Sequence, residues 1–373
     1  MAGKTKKSSK RRTKSKAKKI LSVFITVLIL ILFAIWFLFG KPYIVPDEQG
    51  LMLVMTEEPI IQIGGSEEDV SSNAALRQTQ ESKEQQEQQT VQEAQKISIK
   101  NANISSQIAD LGHAENSSLY FGNPTDALED TSLNTNYLMT KPQYTLSYNT
   151  STLCPNWVAW HLDTENMGDA DRSDDFRPDK ELPEGWYGVK KADYQFNKYG
   201  FDRGHVCPSA DRTATKEDNS MTFLMTNMVP QTPDNNRVIW MHFENFERDL
   251  VAAGNEVYII AGPYGTGGTS PKGTFDTIPI SLKSGETYYM NVPAYTWKVL
   301  IAIPAGSDDL ERIDSTTTAI AINVPNQTGM QKTGDWEQFL CSIDDIEEMT
   351  GYDFFELLPD DIEDTLESRV YEK

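Results

Sequence analysis

Residues 20–39 form an unbroken apolar run, ILSVFITVLILILFAIWFLF, with no charged side chain. As an α-helix with a rise of about 1.5 Å per residue, this run is about 30 Å long, which matches the hydrocarbon core of a bilayer. A secretory signal peptide has a shorter apolar region that ends in a cleavage site of small residues. The following Gly40-Lys41-Pro42-Tyr43 has no such site. We therefore predict one uncleaved transmembrane helix.

Ten lysine and arginine residues precede residue 20, and no acidic residue accompanies them. A basic run is also typical of nucleic-acid binding or nuclear targeting, but its position directly before an apolar segment favours a topology signal, because positive flanks stay in the cytoplasm. We therefore predict a cytoplasmic basic tail over residues 1–19 and a single-pass anchor over residues 20–39. Everything that follows is expected to be extracellular and attached to the cell membrane.

The charge balance of the remaining chain excludes one class of protein. The whole chain has a net charge of −21, and without the ten N-terminal bases it has 24 basic against 55 acidic residues, a net charge of −31. A globally basic surface for nucleic acid is therefore excluded, and an anionic ligand must be held by a local patch or a metal ion. Three cysteines allow at most one disulfide, so a hydrophobic core must stabilise the fold.

A polar segment separates the anchor from the rest of the chain. Residues 77–95 are dominated by glutamine and glutamate, and Val91 is almost their only apolar residue. Such a segment cannot bury enough surface to offset its ordering entropy, and it lacks the a/d repeat of a coiled coil. We predict a spacer over residues 40–115, largely disordered or a helical stalk, and one folded domain over residues 116–373.

The composition of this domain predicts an α+β fold. Six segments are strand-like, namely residues 144–148, 157–160, 222–226, 256–260, 295–301 and 318–322. Three segments are predicted as helices, namely residues 234–253, 343–349 and 360–369. Since strands and helices do not strictly alternate, α+β is favoured over a doubly wound α/β sheet.

His205 lies in the segment Asp202-Arg-Gly-His205-Val-Cys-Pro-Ser-Ala-Asp-Arg212 and is one of four histidines. A lone histidine is most often structural. Here, however, an acid, a guanidinium suited to phosphate and an imidazole that accepts a proton near neutral pH lie within four residues. Gly204 permits a tight turn or a close backbone approach. This pattern indicates chemistry on an anionic substrate.

The predicted helix over residues 234–253 carries two further candidates. Asp234 is a suitable N-cap, which places Asn236 in the first turn. Glu244 lies eight residues later, about 80° away at 100° per residue, so both side chains address one broad face. An amide oxygen completed by water is a plausible site for a hard cation. The alternative interpretation is a capping asparagine and a solvated glutamate.

The two motifs together resemble the DNA/RNA non-specific endonuclease family, which has a ββα-metal (His-Me finger) active site and includes secreted bacterial nucleases and mitochondrial endonuclease G. The resemblance rests on DRGH with CPSADR, then TN-x-x-PQ-x-x-x-x-N, and a W-x-x-x-E helix. It extends from about residue 119 to the C-terminus. It implies a central antiparallel or mixed sheet with flanking helices and the ββα-metal finger.

The resemblance also implies roles for individual residues. The general base corresponds to His205, the metal ligand to Asn236 rather than Asn235 or Asn227, and the glutamate that orients water to Glu244. The family's remaining basic positions are matched by Arg203 and Arg248, and by Arg172 or Arg177 for the upstream arginine, with Arg172 preferred.

The implied activity is endonucleolytic hydrolysis of DNA and RNA to 5′-phosphate products with Mg²⁺, with Mn²⁺ or another divalent cation as alternatives. Local charge agrees with this, because residues 190–216 carry six bases, including Lys198 and Arg212, against three acids. We interpret Lys198, Arg212 and Arg248 as substrate-binding residues. The interleaved aromatic residues Tyr194, Phe196 and Tyr199 either contact nucleotides or pack in the core.

Two rival interpretations remain open. One is a non-catalytic surface protein that binds nucleic acid or mediates adhesion on a nuclease-like fold. The other is a thiolate nucleophile at Cys207. The sequence also leaves open a homodimer and the identity of protein partners. The acidic C-terminal segment from residue 342 onward is interpreted as solvated helix faces, with a nucleic-acid mimic as the alternative.

Overall fold

The computed structural model describes the backbone of residues 42–47 and 50–55, and residues 116–330 and 333–372 in full. The predicted basic tail, the predicted transmembrane anchor and most of the predicted spacer lie outside the described residues. Within the described ranges, no helix has the length and apolarity needed to cross a bilayer. The chain divides into two compact units, Met1–Thr90 and Val91–Lys373.

The first unit contains an antiparallel strand pair, formed by β1 (Pro42–Asp47) and β2 (Gly50–Met55). The pair lies within the segment that the sequence predicts to be a spacer.

The second unit is built on thirteen strands among the residues described. In chain order these are β3 (Tyr137–Thr140), β4 (Thr145–Asn149), β5 (Cys154–Leu162), β6 (Asp202–His205), β7 (Met228–Gln231), β8 (Asn255–Tyr264), β9 (Gly268–Ser270), β10 (Gly273–Phe275), β11 (Thr277–Ser281), β12 (Thr287–Asn291), β13 (Tyr295–Pro304), β14 (Thr318–Pro325) and β15 (Leu340–Cys341). Seven of them form an antiparallel sheet in the order β15-β14-β13-β8-β5-β4-β3, and the others form the pairs β6–β7, β9–β10 and β11–β12.

The two faces of the seven-stranded sheet are both buried. Along β8, Val257, Ile259 and Ala261 belong to one hydrophobic core, while Tyr258 and Ile260 belong to a second. This alternation places the two cores on opposite faces, because successive side chains of a strand point in opposite directions. Both cores are large, which explains why the fold needs no disulfide scaffold.

Six α-helices complete the described part of the second unit: α1 (Phe196–Tyr199), α2 (Lys216–Met221), α3 (Met241–Ala252), α4 (Asp309–Arg312), α5 (Ile343–Thr350) and α6 (Asp360–Glu367). A π-helical segment, Asn235–Trp240, leads directly into α3. Phe243 of α3 packs in the first core, whereas Ile346 of α5 and Leu366 of α6 pack in the second. Helices α3 and the α5–α6 pair therefore cover opposite faces of the sheet.

The α+β prediction with an antiparallel sheet and flanking helices is confirmed. The prediction of a strand over residues 222–226 is wrong, because residues 222–223 follow α2 as a turn, Leu224 forms only a single bridge to Arg177, and Met225–Asn227 is a 3₁₀ turn before β7. Phe223 and Met225 are buried there, so their apolar character reflects core packing rather than strand alternation. Strands β6 and β7 followed by α3 form a ββα unit.

Candidate active site

The antiparallel pair β6–β7 holds the DRGH segment rigidly. Asp202 lies opposite Gln231, and His205 lies opposite Met228. A Cβ atom at Gly204 would overlap the fully buried side chain of Gln231, so only glycine fits this position. Because side chains alternate along a strand, Arg203 and His205 share one face of β6 and Asp202 lies on the other.

His205 is buried, with 8% of its surface exposed. Its ring centroid lies 4.7 Å from that of Phe223 and 5.6 Å from that of Phe176. Its Nε2 atom is buried and has no hydrogen-bond partner within the described part of the chain. Burial, with the charges of Arg172 and Arg203, lowers the pKa of His205 to about 3. The imidazole is therefore neutral at neutral pH and can accept a proton.

Two arginines reach the histidine across the same aromatic pair. The Arg203 guanidinium lies 4.6 Å from the ring centroid of Phe176, and that of Arg172 lies 4.8 Å from the ring centroid of Phe223. Arg172 Nη1 also donates to Ser209 Oγ at 2.6 Å, and its Nε donates to Asp174 Oδ1 at 2.9 Å. These contacts place both positive charges beside His205.

Arg177, the alternative for the upstream arginine, is directed elsewhere. Its Nη1 atom donates to Asp175 Oδ2 at 2.7 Å and to the carbonyl oxygen of Ser220 at 2.8 Å. Arg177 thus fastens its own loop to the end of α2. The structure brings Arg172, and not Arg177, to His205.

Asn236 is attached to the strand that carries His205. Its Nδ2 atom donates to Asp202 Oδ2 at 3.0 Å, and Arg237 donates to both oxygens of the same carboxylate at 2.7 and 2.6 Å. Asp202 thereby fixes the amide of Asn236 through its nitrogen, which directs the amide oxygen away from the carboxylate. The sequence interpretation did not assign this role to Asp202.

The neighbouring asparagines have structural roles. Asn235 is fully buried, donates to Thr296 Oγ1 at 2.8 Å and accepts from Gln231 Nε2 at 3.2 Å. Asn227 exchanges two hydrogen bonds with the backbone of Cys207. Among these three amides, Asn236 is therefore the half-buried one that remains available as a ligand.

The helix that carries Asn236 begins differently from the predicted capped α-helix. Asp234 is helical, with φ −69° and ψ −38°, and its Oδ2 atom accepts from the backbone of Gly329 at 2.7 Å rather than capping the helix. Segment Asn235–Trp240 is π-helical. A π turn holds more residues than an α turn, so the predicted angle of 80° between Asn236 and Glu244 does not apply. Such π segments occur frequently at functional sites.

Glu244 lies among charged side chains from three elements, namely Arg248 and Glu247 of α3, Lys298 of β13, and Asp211. Arg248 Nη1 donates to Asp211 Oδ1 at 2.6 Å, and the other oxygen of this fully buried carboxylate accepts from Trp160 Nε1 at 3.0 Å. Burial raises the pKa of Glu244 to about 8, while the charges of Lys298 and Arg248 lower it. The environment of Glu244 therefore favours a further positive charge.

Arg212 does not fit its predicted role in substrate binding. It is 4% exposed, and its guanidinium donates at 2.8 Å to three carbonyl oxygens, those of Gln143, Asp211 and His161. Arg212 therefore stabilises the fold. Arg248 pairs with Asp211 through Nη1 and is partly exposed, so it can bind substrate as predicted only through its remaining donors.

Lysines next to the site differ from the predicted set. Lys198 is exposed on α1 and lies 4.8 Å from the ring centroid of Tyr199. Lys191, which was not predicted, lies 5.3 Å from the ring centroid of Phe176, the same ring that Arg203 covers. Of the interleaved aromatics, Tyr194 and Tyr199 are buried in the core. Phe196 is 41% exposed.

The rival thiol chemistry lacks support in the geometry. Cys154, Cys207 and Cys341 are all free cysteines. Burial raises the pKa of Cys207 to about 12, so the thiolate that a nucleophile requires is strongly disfavoured.

The sequence profile of the DNA/RNA non-specific endonuclease family matches residues 123–361. The chain belongs to this family. It is 44% identical over 252 residues to a nuclease of Nostoc sp., covering 68% of this chain and 85% of that protein. It is 29% identical over 245 residues to nuclease C1 of Cunninghamella echinulata, covering 64% of this chain and 88% of that protein.

Human mitochondrial endonuclease G is 30% identical over 225 residues, covering 57% of this chain and 68% of that protein. A chain in the crystal structure of the EndoG/EndoGI complex superposes with a TM-score of 0.50 at 23% identity, over 65% of this chain and 91% of that chain. This likeness shows a shared fold. The family assignment makes the protein an endonuclease, a hydrolase that acts on nucleic acid.

Nucleases of this family generally use divalent metal ions. The residues at this site fit such an ion, since Asp202 engages the amide nitrogen of Asn236 and the environment of Glu244 favours a positive charge. One protein ligand is sufficient for Mg²⁺, which usually keeps several waters.

Proposed function

We propose that this protein is a membrane-anchored, Mg²⁺-dependent and sugar-non-specific endonuclease, which hydrolyses phosphodiester bonds of DNA and RNA to 5′-phosphate products. His205 serves as the general base, Asn236 as the metal ligand, and Arg203 and Arg172 as the groups that bind phosphate. The observation that carries this proposal is the buried, neutral imidazole of His205 between two guanidinium groups.

The neutral form of His205 determines its part in the reaction. Its low pKa keeps a ring nitrogen free to accept a proton from the water that attacks phosphorus in line. Arg172 and Arg203 lie on neighbouring aromatic rings. Arg203 Nε has no hydrogen-bond partner within the described residues, and Arg172, which uses Nε on Asp174 and Nη1 on Ser209, keeps Nη2 for a phosphate oxygen. Both arginines stabilise the negative charge that grows on the phosphate in the transition state.

Asn236 and Glu244 serve the metal. Asn236 would hold a divalent ion through its amide oxygen, and Glu244 would orient water at the site. When bound, Mg²⁺ supplies a positive charge that stabilises the transition state and the departing 3′ oxygen. Asp202 keeps the amide of Asn236 in one orientation, and Arg248 holds α3 against the buried Asp211.

A lack of base selectivity follows from the chemistry of the groups available. Arg172, Arg203 and Lys191 suit phosphates, which carry no sequence information. With a net charge of −31 beyond residue 19, binding rests on these few cations and a metal ion, so it is expected to weaken steeply with salt.

The location is proposed from the sequence. The apolar run over residues 20–39 and the basic flank before it support a single-pass anchor with a cytoplasmic N-terminus and an extracellular nuclease domain.

The decisive test uses the full chain purified in detergent, with plasmid DNA and RNA as substrates and with Mg²⁺ or EDTA. His205→Ala and Asn236→Ala are compared with His242→Ala, which changes an exposed histidine of α3 outside the site. We expect metal-dependent cleavage of both substrates by the wild type and by His242→Ala. For His205→Ala, which removes the proposed base, we expect the cleavage rate to fall by about 10²–10⁴-fold. If His205→Ala kept full activity, the assignment of the general base would be wrong.

A further inference from the structure

Helices α5 and α6 bring several carboxylates together far from the ββα unit. Asp344 and Glu347 are three residues apart on α5, and Glu363 and Glu367 are four residues apart on α6. One carboxylate oxygen from each of Asp344, Glu347 and Glu367 lies within 4.8 Å of the others. Like charges at these helical spacings destabilise a helix unless a positive charge lies nearby.

Two of these carboxyl groups, those of Glu363 and Glu367, each have one buried oxygen without a hydrogen-bond partner within the described residues. Glu367 is 6% exposed, and its Oε1 atom, like that of Glu363, has no hydrogen-bond partner within the described residues. A buried carboxylate without a donor is strongly unfavourable. The interpretation of this acidic segment as solvated helix faces is therefore wrong for Glu367.

The nearby base, Arg369, donates to the carbonyl oxygens of Ser315 and Thr317. Glu347 receives one hydrogen bond, from the backbone of Phe354 to Oε1 at 2.7 Å. The buried, unpartnered oxygens of Glu363 and Glu367 thus lie where a cation would supply the partner that the described residues do not.

We propose that Asp344, Glu347 and Glu367 bind a Ca²⁺ ion that joins α5 to α6. Two oxygens bound to one Ca²⁺ at about 2.4 Å are at most about 4.8 Å apart, so the observed spacing of the three carboxylates suits one shared ion. Ca²⁺ accepts six to eight oxygens in irregular geometry, whereas Mg²⁺ demands near-ideal octahedral geometry. Glu363, four residues before Glu367 on α6, offers a further oxygen without a hydrogen-bond partner within the described residues.

The position of the site gives it a structural role. Helices α5 and α6 pack in the core on the opposite face of the sheet from α3. An ion held there fastens the C-terminal helix to the sheet and leaves His205 and Asn236 unchanged. Ca²⁺ binding at this site can therefore be tested independently of the nuclease mechanism.

The test is made on the full chain in detergent, freed of metal with EDTA and then dialysed. Ca²⁺ is titrated in by calorimetry, and Tm is measured with and without 5 mM Ca²⁺. Glu367→Gln removes a central ligand, and Glu348→Gln is the matched control, since it changes an exposed acid on α5 outside the cluster. Cleavage of plasmid DNA with Mg²⁺ is measured for each variant.

We expect the wild type and Glu348→Gln to bind one more Ca²⁺ than Glu367→Gln, and to gain roughly 3–8 °C in Tm with Ca²⁺. Without Ca²⁺, Glu367→Gln should melt at or above the wild-type temperature, because it relieves repulsion. Its Mg²⁺-dependent cleavage should stay within about twofold of wild type. Equal Ca²⁺ binding and equal Tm gains in the wild type and Glu367→Gln would overturn the proposal, as would no effect of Ca²⁺ on the wild type.

Discussion

Asp202 links the strand of the proposed general base, His205, to the proposed metal ligand, Asn236, and replacing Asp202 tests this part of the site. Asp202→Ala removes the acceptor of the Asn236 amide and of two Arg237 hydrogen bonds. The amide of Asn236 would then be free to rotate, and its oxygen would lose the fixed orientation that a metal ligand needs. We expect weaker metal binding rather than a loss of the chemical step.

The size of the effect follows from the contact. A hydrogen bond to a charged group contributes about 1.5–3 kcal/mol, which corresponds to roughly 10–150-fold in an equilibrium constant. This agrees with the loss of about 10–100-fold in metal affinity when residues behind a metal ligand are replaced. Asp202→Asn keeps an acceptor oxygen but removes the charge, so metal affinity is expected to fall by about fivefold.

Arg237 provides the control, because its side chain is 59% exposed. An ion pair exposed to this extent contributes at most about 1 kcal/mol. Arg237→Gln breaks the ion pair with Asp202 but keeps the hydrogen bond between Asp202 and Asn236. It should therefore change the Mg²⁺ dependence much less than Asp202→Ala.

The assay is plasmid nicking by the full chain over a series of Mg²⁺ concentrations. Asp202→Ala should shift the half-saturating Mg²⁺ concentration upward by about 10–100-fold, with most of kcat recovered at saturation. An unchanged Mg²⁺ dependence combined with a low kcat would refute the proposed link between Asp202 and the metal ligand. So would an equal shift in Arg237→Gln.

Two further expectations concern the base and the arginines. Because the pKa of His205 is lowered to about 3 in the fold, against about 6.5 in an unfolded chain, its neutral form contributes stability that is lost as pH falls below 6.5. As pH falls from 6 to 4.5, the free energy of unfolding of the metal-free wild type, measured in urea titrations, should decrease by about 1.4 kcal/mol more per pH unit than that of His205→Gln. Parallel pH dependences of the two proteins would contradict this. Arg172→Ala should reduce kcat/KM by about 10²-fold, against less than about threefold for Arg177→Ala, and equal losses would contradict the placement of Arg172.

A third expectation concerns the buried pair that supports α3. Lys298 and Glu247 are both fully buried, with Nζ and Oε1 2.9 Å apart. Lys298→Met leaves the carboxylate unpaired and should reduce the free energy of unfolding by about 3–5 kcal/mol in urea titrations. Lys298→Met/Glu247→Leu should recover much of this loss, and additive single losses would contradict the interpretation.

The elements that the sequence predicts well are those with a strong local pattern. Helices α5 and α6 and strands β8, β13 and β14 agree with their predictions within a few residues, since each has an apolar repeat or a β-branched run. The segment over residues 222–226 has the same composition but forms turns. Composition alone cannot distinguish a buried turn from a buried strand, because both bury apolar side chains.

The motif also predicts the site better than the charge pattern does. Asp202, Arg203 and His205 lie on one short strand, so their proximity in sequence is proximity in space. Charge alone predicts Lys198 and Arg212 as substrate-binding residues, but Arg212 binds backbone carbonyls in the interior. Lys191, which was not predicted, lies on the ring that Arg203 covers. A basic residue can bind a phosphate only through the donors that the fold leaves unpaired, and Arg212 keeps few of these.

The π-helical segment Asn235–Trp240, which carries Asn236, shows why the helical spacing did not predict the geometry of this part of the site. An α-helix beginning at residue 235 would direct successive side chains at 100° intervals, but the segment Asn235–Trp240 widens that turn. In this wider turn, Asn235 donates a hydrogen bond to the buried Thr296, while the next residue, Asn236, donates a hydrogen bond to Asp202. The two consecutive asparagines thus make contacts on different sides of the segment, one with the core and one with Asp202. The irregular turn therefore lies where Asp202 holds the proposed metal ligand, Asn236, beside the strand of the proposed general base, His205.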